Sequence, residues 1–198
     1  MLETIMRDGG KNNCSQITYW CHEIIRSQAP KGGVYIDATM GNGNDTLMLC
    51  QLAGDKGEVF AFDIQERAIQ KTRELLIKHE YMERVQLIQD GHENMDQYVK
   101  DSSADVICFN FGYLPGGDHN IATKAATSLI AIEKGLNILK NGGMMSLCIY
   151  SGGDTGFEEK EQILSYLKTL PAEKYTVIVN EYFNRGNNPP MPVFVFKN

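Results

Sequence analysis

Apolar stretches of six to eight residues recur along the chain, separated by stretches in which apolar positions follow helical spacing. The apolar stretches are rich in β-branched and aromatic residues, which is typical of strands buried on both faces of a parallel sheet. We predict five such strands, at residues 33–38, 58–63, 84–89, 104–110 and 143–150.

Helical patterns fill the intervals between these strands. The clearest predicts a helix over residues 121–139, where apolar side chains recur every three or four positions at Ile121, Ala125, Leu129, Ile132, Leu136 and Leu139. We expect this helix to end in a left-handed C-cap at residues 141–143. Further helices are predicted at residues 15–28, 44–53, 66–80 and 157–169.

Strands that alternate with helices predict right-handed crossovers and a doubly wound α/β sheet. The tail departs from this pattern, because strands at 174–183 and 191–198 are separated by only seven residues, too few for a parallel crossover. These two strands must pair antiparallel. The predicted fold is a seven-stranded, mostly parallel sheet with one reversed strand, helices on both faces, and an N-terminal helical segment (1–30) packed on it.

Length and composition indicate one domain over residues 1–198, because 198 residues with 42% hydrophobic content fill one core. The absence of a long apolar run and of a signal-like start predicts a cytoplasmic protein without a membrane partner. The net charge of -6 argues against coating nucleic acid by bulk electrostatics, although it leaves room for an enzyme with a local basic rim.

The five cysteines are odd in number and widely spaced, which favours reduced thiols. Cys14, Cys21 and His22 could supply three metal ligands, but no C-x-x-C pair or fourth ligand accompanies them. We therefore predict no metal site.

The glycine-rich stretch DATMGNGNDT follows the first strand, at the position where α/β sheets usually bind a cofactor. Gly41 and Gly43 can adopt positive φ and bring the backbone close to a ligand. Asp63 ends the second strand 22 residues after Gly41, close to the spacing at which an acidic residue meets a ribose diol. The pattern predicts a nucleoside-bearing cofactor.

Charge discriminates among such cofactors. A dinucleotide-binding loop would carry a third small residue where this chain has Thr46, and Asp37 beside the loop would repel a pyrophosphate and attract a cation. S-adenosylmethionine has an ammonium and a sulfonium group but no phosphate, so it fits this pattern. After the third strand, we expect Asp90 to accept from the adenine amino group and the Gly91 N–H to donate to the ring.

The motifs IDATMGNGNDT, AFDIQ, FNFGYLPGGDH and NNPP resemble those of class I S-adenosylmethionine-dependent methyltransferases, which have a Rossmann-like fold. The resemblance covers nearly the whole chain, and it is closer to a small bacterial family labelled rRNA methylases. It implies an enzyme that uses S-adenosylmethionine to N-methylate 5-aminomethyl-2-thiouridine at the tRNA wobble position. The cofactor residues are then Asp37, Thr39, Gly41, Asn42, Gly43, Asn44, Asp45, Thr46, Asp63, Ile64, Gln65, Asp90, Gly91, His92 and Asn110.

The stretch FNFGYLPGGDH resembles the Asn-Pro-Pro-Tyr loop of amino-group methyltransferases. Asn110 would accept a hydrogen bond from the target amine, and Tyr113 would stack on the base. An alkyl amine must lose a proton before it can attack, and Asp118 and His119 are candidate acceptors. His92 and Tyr150 are further candidates, although for His92 a solvated loop position or a cofactor-side role is favoured.

Substrate contacts are predicted in three places: the loop after the fourth strand, the end of the fifth strand, and the loop before the last strand. The residues are Tyr113, Leu114, Tyr150, Arg185, Pro189 and Pro190. After Tyr150 the chain lacks a Pro and a His of the family pattern, so the exact substrate stays open. The alternatives are an rRNA or small-molecule methyltransferase, or a non-catalytic cofactor-binding protein. A homodimer would widen the surface offered to tRNA.

Overall fold

The structure is a computed structural model that describes residues 16–112, 122–151 and 153–198, without the side chains of residues 153–155. Its sheet contains β1 (Val34–Asp37), β2 (Glu58–Phe62), β3 (Val85–Ile88), β4 (Ala104–Phe111), β5 (Leu139–Ile149), β6 (Tyr175–Val179) and β7 (Met191–Lys197). The strand order is β3-β2-β1-β4-β5-β7-β6. β7 runs antiparallel to both of its neighbours, whereas the other pairs are parallel. The predicted seven-stranded sheet with one reversed strand is confirmed.

In the part of the chain that the structure describes, five α-helices cover the two faces of this sheet: α1 (Ile17–Gln28), α2 (Asn44–Ala53), α3 (Glu66–Lys78), α4 (Ala125–Ile138) and α5 (Gly153–Lys168). Successive residues of β1 show why both faces are apolar. Tyr35 is buried in one cluster with Ile25 of α1 and Leu49 of α2. Ile36, the next residue, is buried in a second cluster with Ile132 of α4. Because side chains alternate across a strand, a sheet covered by helices on both sides needs continuous apolar runs.

The junction between α4 and β5 differs from the prediction. α4 ends at Ile138, its C-cap residue Leu139 is extended, and β5 begins there. Of residues 141–143, Gly142 alone has positive φ, at 81°. Leu139 is fully buried and pairs with Ala104, whereas Met144 pairs with Val106, so β5 carries extra residues between these two pairs. Burial and strand pairing of Leu139 therefore end the helix before the glycines.

The tail also differs in detail from the prediction. β6 ends at Val179, so the connection to β7 covers residues 180–190 rather than seven residues. Asn187 and Asn188 within it have positive φ values of 62° and 47°, which asparagine tolerates better than most residues. Because Met191 pairs with Ile149 at the carboxyl end of β5, this connection lies at the same edge of the sheet as the loop after β1.

Gly57, between α2 and β2, offers a test of this packing. A Cβ there would lie 2.5 Å from the Gly33 carbonyl oxygen and 2.8 Å from the Ala53 Cα. Both are backbone atoms, so we expect Gly57→Ala to lower the free energy of unfolding by about 1–3 kcal/mol. Urea unfolding measures this change. Gly186→Ala is the control, because a Cβ there meets nothing within 4 Å; equal stability of the two variants would contradict the prediction.

Candidate functional site

A cavity of about 280 Å³ lies at the carboxyl edge of the sheet, between the ends of β1 to β4 and the first turn of α4. Nine predicted cofactor residues line it: Thr39, Gly41, Asp63, Ile64, Gln65, Asp90, Gly91, His92 and Asn110. Its wall also includes residues to which the sequence assigned no role: Ala38, Glu93, Gly112, Ala122, Thr123, Lys124 and Thr127. The remaining predicted cofactor residues of the described chain do not line it: Asp37, Asn42, Gly43, Asn44, Asp45 and Thr46.

The loop after β1 has the predicted left-handed conformations, with φ of 53° at Gly41 and 82° at Gly43. A Cβ on Gly43 would lie 2.8 Å from the Thr72 hydroxyl oxygen. Thr72 also donates to the Gly41 carbonyl over 3.3 Å. The loop is therefore pressed against α3, and only glycine satisfies both the conformation and the contact.

Asp63, at the end of β2, holds the loop from its other side. Its Oδ2 accepts from the Gly41 N–H over 3.0 Å, and its Oδ1 accepts from the Gln65 N–H over 2.9 Å. Burial raises the pKa of Asp63, and these backbone hydrogen bonds oppose the increase. Each carboxylate oxygen has further acceptor capacity. Asp63 can thus fix the loop and still accept hydrogen bonds from a diol in the cavity.

Asp90 is hydrogen-bonded within the turn that follows β3. Its Oδ1 accepts from its neighbour's N–H, that of Gly91, over 2.7 Å, and from Asn94 Nδ2 over 2.8 Å. Its Oδ2 accepts from the Tyr98 hydroxyl over 2.9 Å. The hydrogen bond from Asn94 is the main reason that the pKa of Asp90 lies below its usual value. The Gly91 N–H thus donates within this turn, and the contacts of Asp90 and Gly91 with an adenine ring stay predictions.

Asp37 lies beneath the loop, fully buried. Its Oδ2 accepts from the Thr46 hydroxyl over 2.6 Å, and its Oδ1 accepts from the Thr39 N–H over 3.3 Å. Burial, and after it the charge of Asp45, raise the pKa of Asp37 to about 8. Thr46 therefore donates a hydrogen bond to this buried carboxyl group. This accounts for a threonine at the position where a dinucleotide-binding loop has a third small residue.

Asn110 ends β4 at the cavity wall and is held on two sides. Its backbone N–H donates to the Thr39 hydroxyl over 2.7 Å, and its Nδ2 donates to Asp45 Oδ2 over 2.7 Å. The other oxygen of Asp45 accepts from His22 Nε2 over 2.6 Å. His22 belongs to α1. From the sequence it stood out only as a conceivable metal ligand with Cys14 and Cys21. No local pattern links His22 to Asp45, so this contact could not be predicted.

His92 lies in an apolar part of the cavity wall. Its ring is 8% exposed and stands edge-on to Phe109 and Phe111, with centroid distances of 6.1 and 6.2 Å. It bonds to the backbone of Ala38, while Nε2 is buried without a hydrogen-bond partner among the described residues. Burial lowers the pKa of His92, so the neutral imidazole is favoured.

Gly112 and Thr123, on either side of segment 113–121, are hydrogen-bonded to each other. The Gly112 N–H donates to the Thr123 hydroxyl over 2.8 Å, and the Thr123 N–H donates to the Gly112 carbonyl over 2.9 Å. The Thr123 hydroxyl in turn donates to Glu159 on α5 over 2.8 Å, and Ser128 donates to the other oxygen of this buried carboxylate over 2.6 Å. We call the first two contacts the Gly112–Thr123 bridge. It fixes the ends of the predicted catalytic loop at the cavity, while four predicted residues lie outside the described chain: Tyr113, Leu114, Asp118 and His119.

The predicted substrate residues in the described chain, at position 150 and in the β6–β7 connection, do not line this cavity. Tyr150 is hydrogen-bonded to Cys148, and burial is the main reason that its pKa lies above the usual value. Arg185 is exposed, with its guanidinium 4.3 Å from the centroid of the Tyr182 ring, and Pro189 and Pro190 are half-buried. A second cavity of about 260 Å³ separates this connection from α1.

Comparisons with known proteins identify the family. A sequence model of the family described as "Putative rRNA methylase" matches residues 59–196. The chain belongs to this family. It is 36% identical over 185 residues to the chloroplastic tRNA (mnm5s2U34)-methyltransferase of Arabidopsis thaliana, which covers 89% of this chain and 67% of that protein.

Two solved structures from the same comparisons share the fold closely. A putative rRNA methylase from Clostridium thermocellum has 42% identity and a TM-score of 0.89, covering 91% of this chain and 97% of that chain. A putative methyltransferase from Streptococcus mutans in complex with SAH has 38% identity and a TM-score of 0.82 over the same shares. The chain is thus an S-adenosylmethionine-dependent methyltransferase with a Rossmann-like fold, as its sequence predicts.

Three further features of the described residues bear on metal binding, membrane insertion and the state of the cysteines. The described residues contain no group of three or more His, Cys, Asp or Glu side chains that could hold a metal ion. Within the same described ranges, no helix is long and apolar enough to cross a membrane. Cys21, Cys50, Cys108 and Cys148 are buried free thiols.

The raised pKa of Asp37 predicts a pH dependence of stability. Between about pH 4 and pH 8 the folded chain keeps a proton on Asp37 that the unfolded chain releases, so the stability contributed by this group is complete at low pH and is lost as the pH rises through about 8. We expect urea unfolding of the cofactor-free protein to show a slope toward lower stability across this window, by up to about 1.4 kcal/mol per pH unit. Asp37→Asn should flatten that slope.

The control for this measurement is Asp96→Asn, since Asp96 is exposed and pairs with Lys134 over 2.8 Å. It should keep the wild-type slope. Parallel slopes for the wild type and Asp37→Asn would show that Asp37 does not carry the proton.

Proposed function

We propose that this enzyme methylates RNA, and that its substrate is the amino group of 5-aminomethyl-2-thiouridine at the wobble position of tRNA. The observation that carries the proposal is Asn110 at the cavity wall, with its Nδ2 donating to Asp45. The Oδ1 of Asn110 is then the atom of this amide that can accept from an amine. The resemblance to the Arabidopsis tRNA (mnm5s2U34)-methyltransferase supports a tRNA amine over other acceptors.

The cavity fits S-adenosylmethionine by its chemistry. Asp63 and Asp90 place carboxyl groups in its wall, which disfavours a phosphate-bearing ligand and suits a cationic one. Ile64 is 58% exposed beside Asp63, so it presents an apolar surface that an adenine ring can cover. The loop after β1 brings Gly41, which has no side chain, to the cavity wall. We assign the ribose hydroxyls to Asp63 and the adenine to Ile64 and the β3 end.

Positioning supplies most of the catalysis in this scheme. S-adenosylmethionine supplies a methyl group on a cationic sulfur, which an amine can accept by in-line displacement. Asn110 holds the amine by its hydrogen, so that the nitrogen lone pair is directed at the methyl carbon. The amine must first lose a proton, and Asp118 and His119 stay our predicted acceptors.

RNA binding is assigned to the carboxyl edge of the sheet. Lys124 lines the cavity and is exposed, and Arg185 stands at the same edge in the β6–β7 connection. Both can pair with phosphate oxygens. With a net charge of -6, the protein needs such local contacts to hold an RNA. Tyr113 and Leu114 remain predicted contacts to the base, and Tyr150, Pro189, Pro190 and a homodimer remain predictions.

An rRNA substrate is the second candidate, because the family that matches residues 59–196 is described by rRNA. The two candidates differ in which nucleoside acquires the methyl group. They share the cofactor and the reaction type, so only the identity of the labelled RNA separates them.

Asp63→Asn tests the cofactor assignment. The variant keeps the size of the side chain but loses the charge and one acceptor, so we expect titration calorimetry to show S-adenosylmethionine binding weakened by about 1.5–3 kcal/mol. Asp55→Asn, which alters an exposed carboxylate (87% side-chain exposure), should bind like the wild type. Unchanged affinity in Asp63→Asn, with the fold intact by circular dichroism, would exclude Asp63 as a cofactor ligand.

Nucleoside mass spectrometry tests the substrate. The enzyme is incubated with isotope-labelled S-adenosylmethionine and with tRNA that carries 5-aminomethyl-2-thiouridine, or with rRNA from the same cells. We expect label in the wobble nucleoside of tRNA and a loss of at least about 100-fold in rate for Asn110→Ala, since the amine loses its positioning group. Label that enters rRNA alone would replace the tRNA proposal with the rRNA candidate.

A further inference from the structure

Three side chains from distant parts of the chain meet beside the cavity. His22 belongs to α1, Asp45 to the first turn of α2, and Asn110 to the end of β4. His22 Nε2 donates to Asp45 Oδ1 over 2.6 Å, and Asn110 Nδ2 donates to Asp45 Oδ2 over 2.7 Å. The side chains of His22 and Asp45 are 18% and 17% exposed, so solvent competes little for these hydrogen bonds.

The second contact decides which way the Asn110 amide faces. An amide has two donors on nitrogen and acceptor capacity on oxygen only, and a carboxylate oxygen can only accept. Asp45 therefore selects the nitrogen of Asn110 and leaves Oδ1 for another donor. A hydrogen bond to a charged acceptor also polarises the amide, which strengthens Oδ1 as an acceptor.

The first contact decides where Asp45 stands. Asp45 lies in the first turn of α2, where its side chain could instead rotate toward solvent or toward the unpaired N–H groups of the helix start. A donor on Oδ1 from α1 opposes such rotation, because both carboxylate oxygens are then engaged at once.

We propose that His22 is a positioning residue for methyl transfer: it holds Asp45, which orients the Asn110 amide so that Oδ1 faces the incoming amine. This inference rests on the proposed role of Asn110 as the amine acceptor. It assigns to α1 a part in the chemistry, in addition to its packing through Cys21 and Ile25. No bond is formed or broken at His22.

The test compares His22→Ala, His22→Gln and a control, His79→Ala, in the full chain. The Gln side chain can place an N–H donor near the position of the imidazole Nε2, whereas Ala cannot. His79 is exposed at the end of α3 and far from the cavity in the fold. For each protein we measure kcat and KM for RNA, the Kd for S-adenosylmethionine by calorimetry, the Tm, and the Asn110 side-chain amide signals by NMR of asparagine-labelled protein.

The Asn110 signals are assigned by their loss in Asn110→Ala, and they are recorded without RNA. In His22→Ala we expect these signals to shift and to exchange faster with solvent, and kcat to fall about tenfold, while KM and the cofactor Kd stay unchanged. His22→Gln should restore both the signals and most of kcat. His79→Ala should match the wild type in every measurement.

Two results would overturn the proposal. The first is a His22→Ala variant whose kcat and Asn110 signals equal those of the wild type. The second is a His22→Ala variant in which kcat and the Tm fall together while the Asn110 signals stay as in the wild type, because His22 would then act through folding alone. If the wild type methylates no RNA while the Asn110 signals respond as expected, the positioning contact stands and the proposed substrate falls.

Discussion

The arrangement of the loops at the carboxyl edge of the sheet depends on one buried carboxyl group. Asp37 receives the Thr39 N–H at the start of the glycine loop and the Thr46 hydroxyl in the helix that follows it, so it ties both ends of the loop to β1. The Thr39 hydroxyl then accepts the backbone N–H of Asn110. A carboxyl group that keeps its proton can be buried there at far lower cost than an anion. The loop and the end of β4 are thus aligned by the same few hydrogen bonds.

Four aspartates at this edge show how surroundings divide one functional group into different tasks. Asp37 is buried and organises backbone, whereas Asp63 shares its oxygens between the loop and the cavity. Asp90 is locked into the turn after β3, and Asp45 bridges two helices and a strand end through its partners. From residue type and order the sequence predicts a cofactor role for all four. It could not show how their burial and hydrogen-bond donors differ, because tertiary contacts set both.

The fold was largely readable from the sequence because the signals are local and repeated. Apolar runs marked β1 to β5, and the short connection before Met191 required the reversed strand that is observed. Contacts between distant residues were not readable: His22 with Asp45 and Thr123 with Glu159 are separated by 23 and 36 positions without any periodic pattern. The early end of α4 was missed because the pairing of Leu139 with Ala104 outweighs the local preference of glycines for a helix cap.

The Gly112–Thr123 bridge makes the two ends of segment 113–121 part of the scaffold. Its two ends are fixed to each other and, through Glu159, to α5. Loop closure costs change only slowly with length. We therefore expect that residues 113–121 can be substituted or changed in number at little cost to the scaffold, which makes this segment the natural place to alter the acceptor molecule.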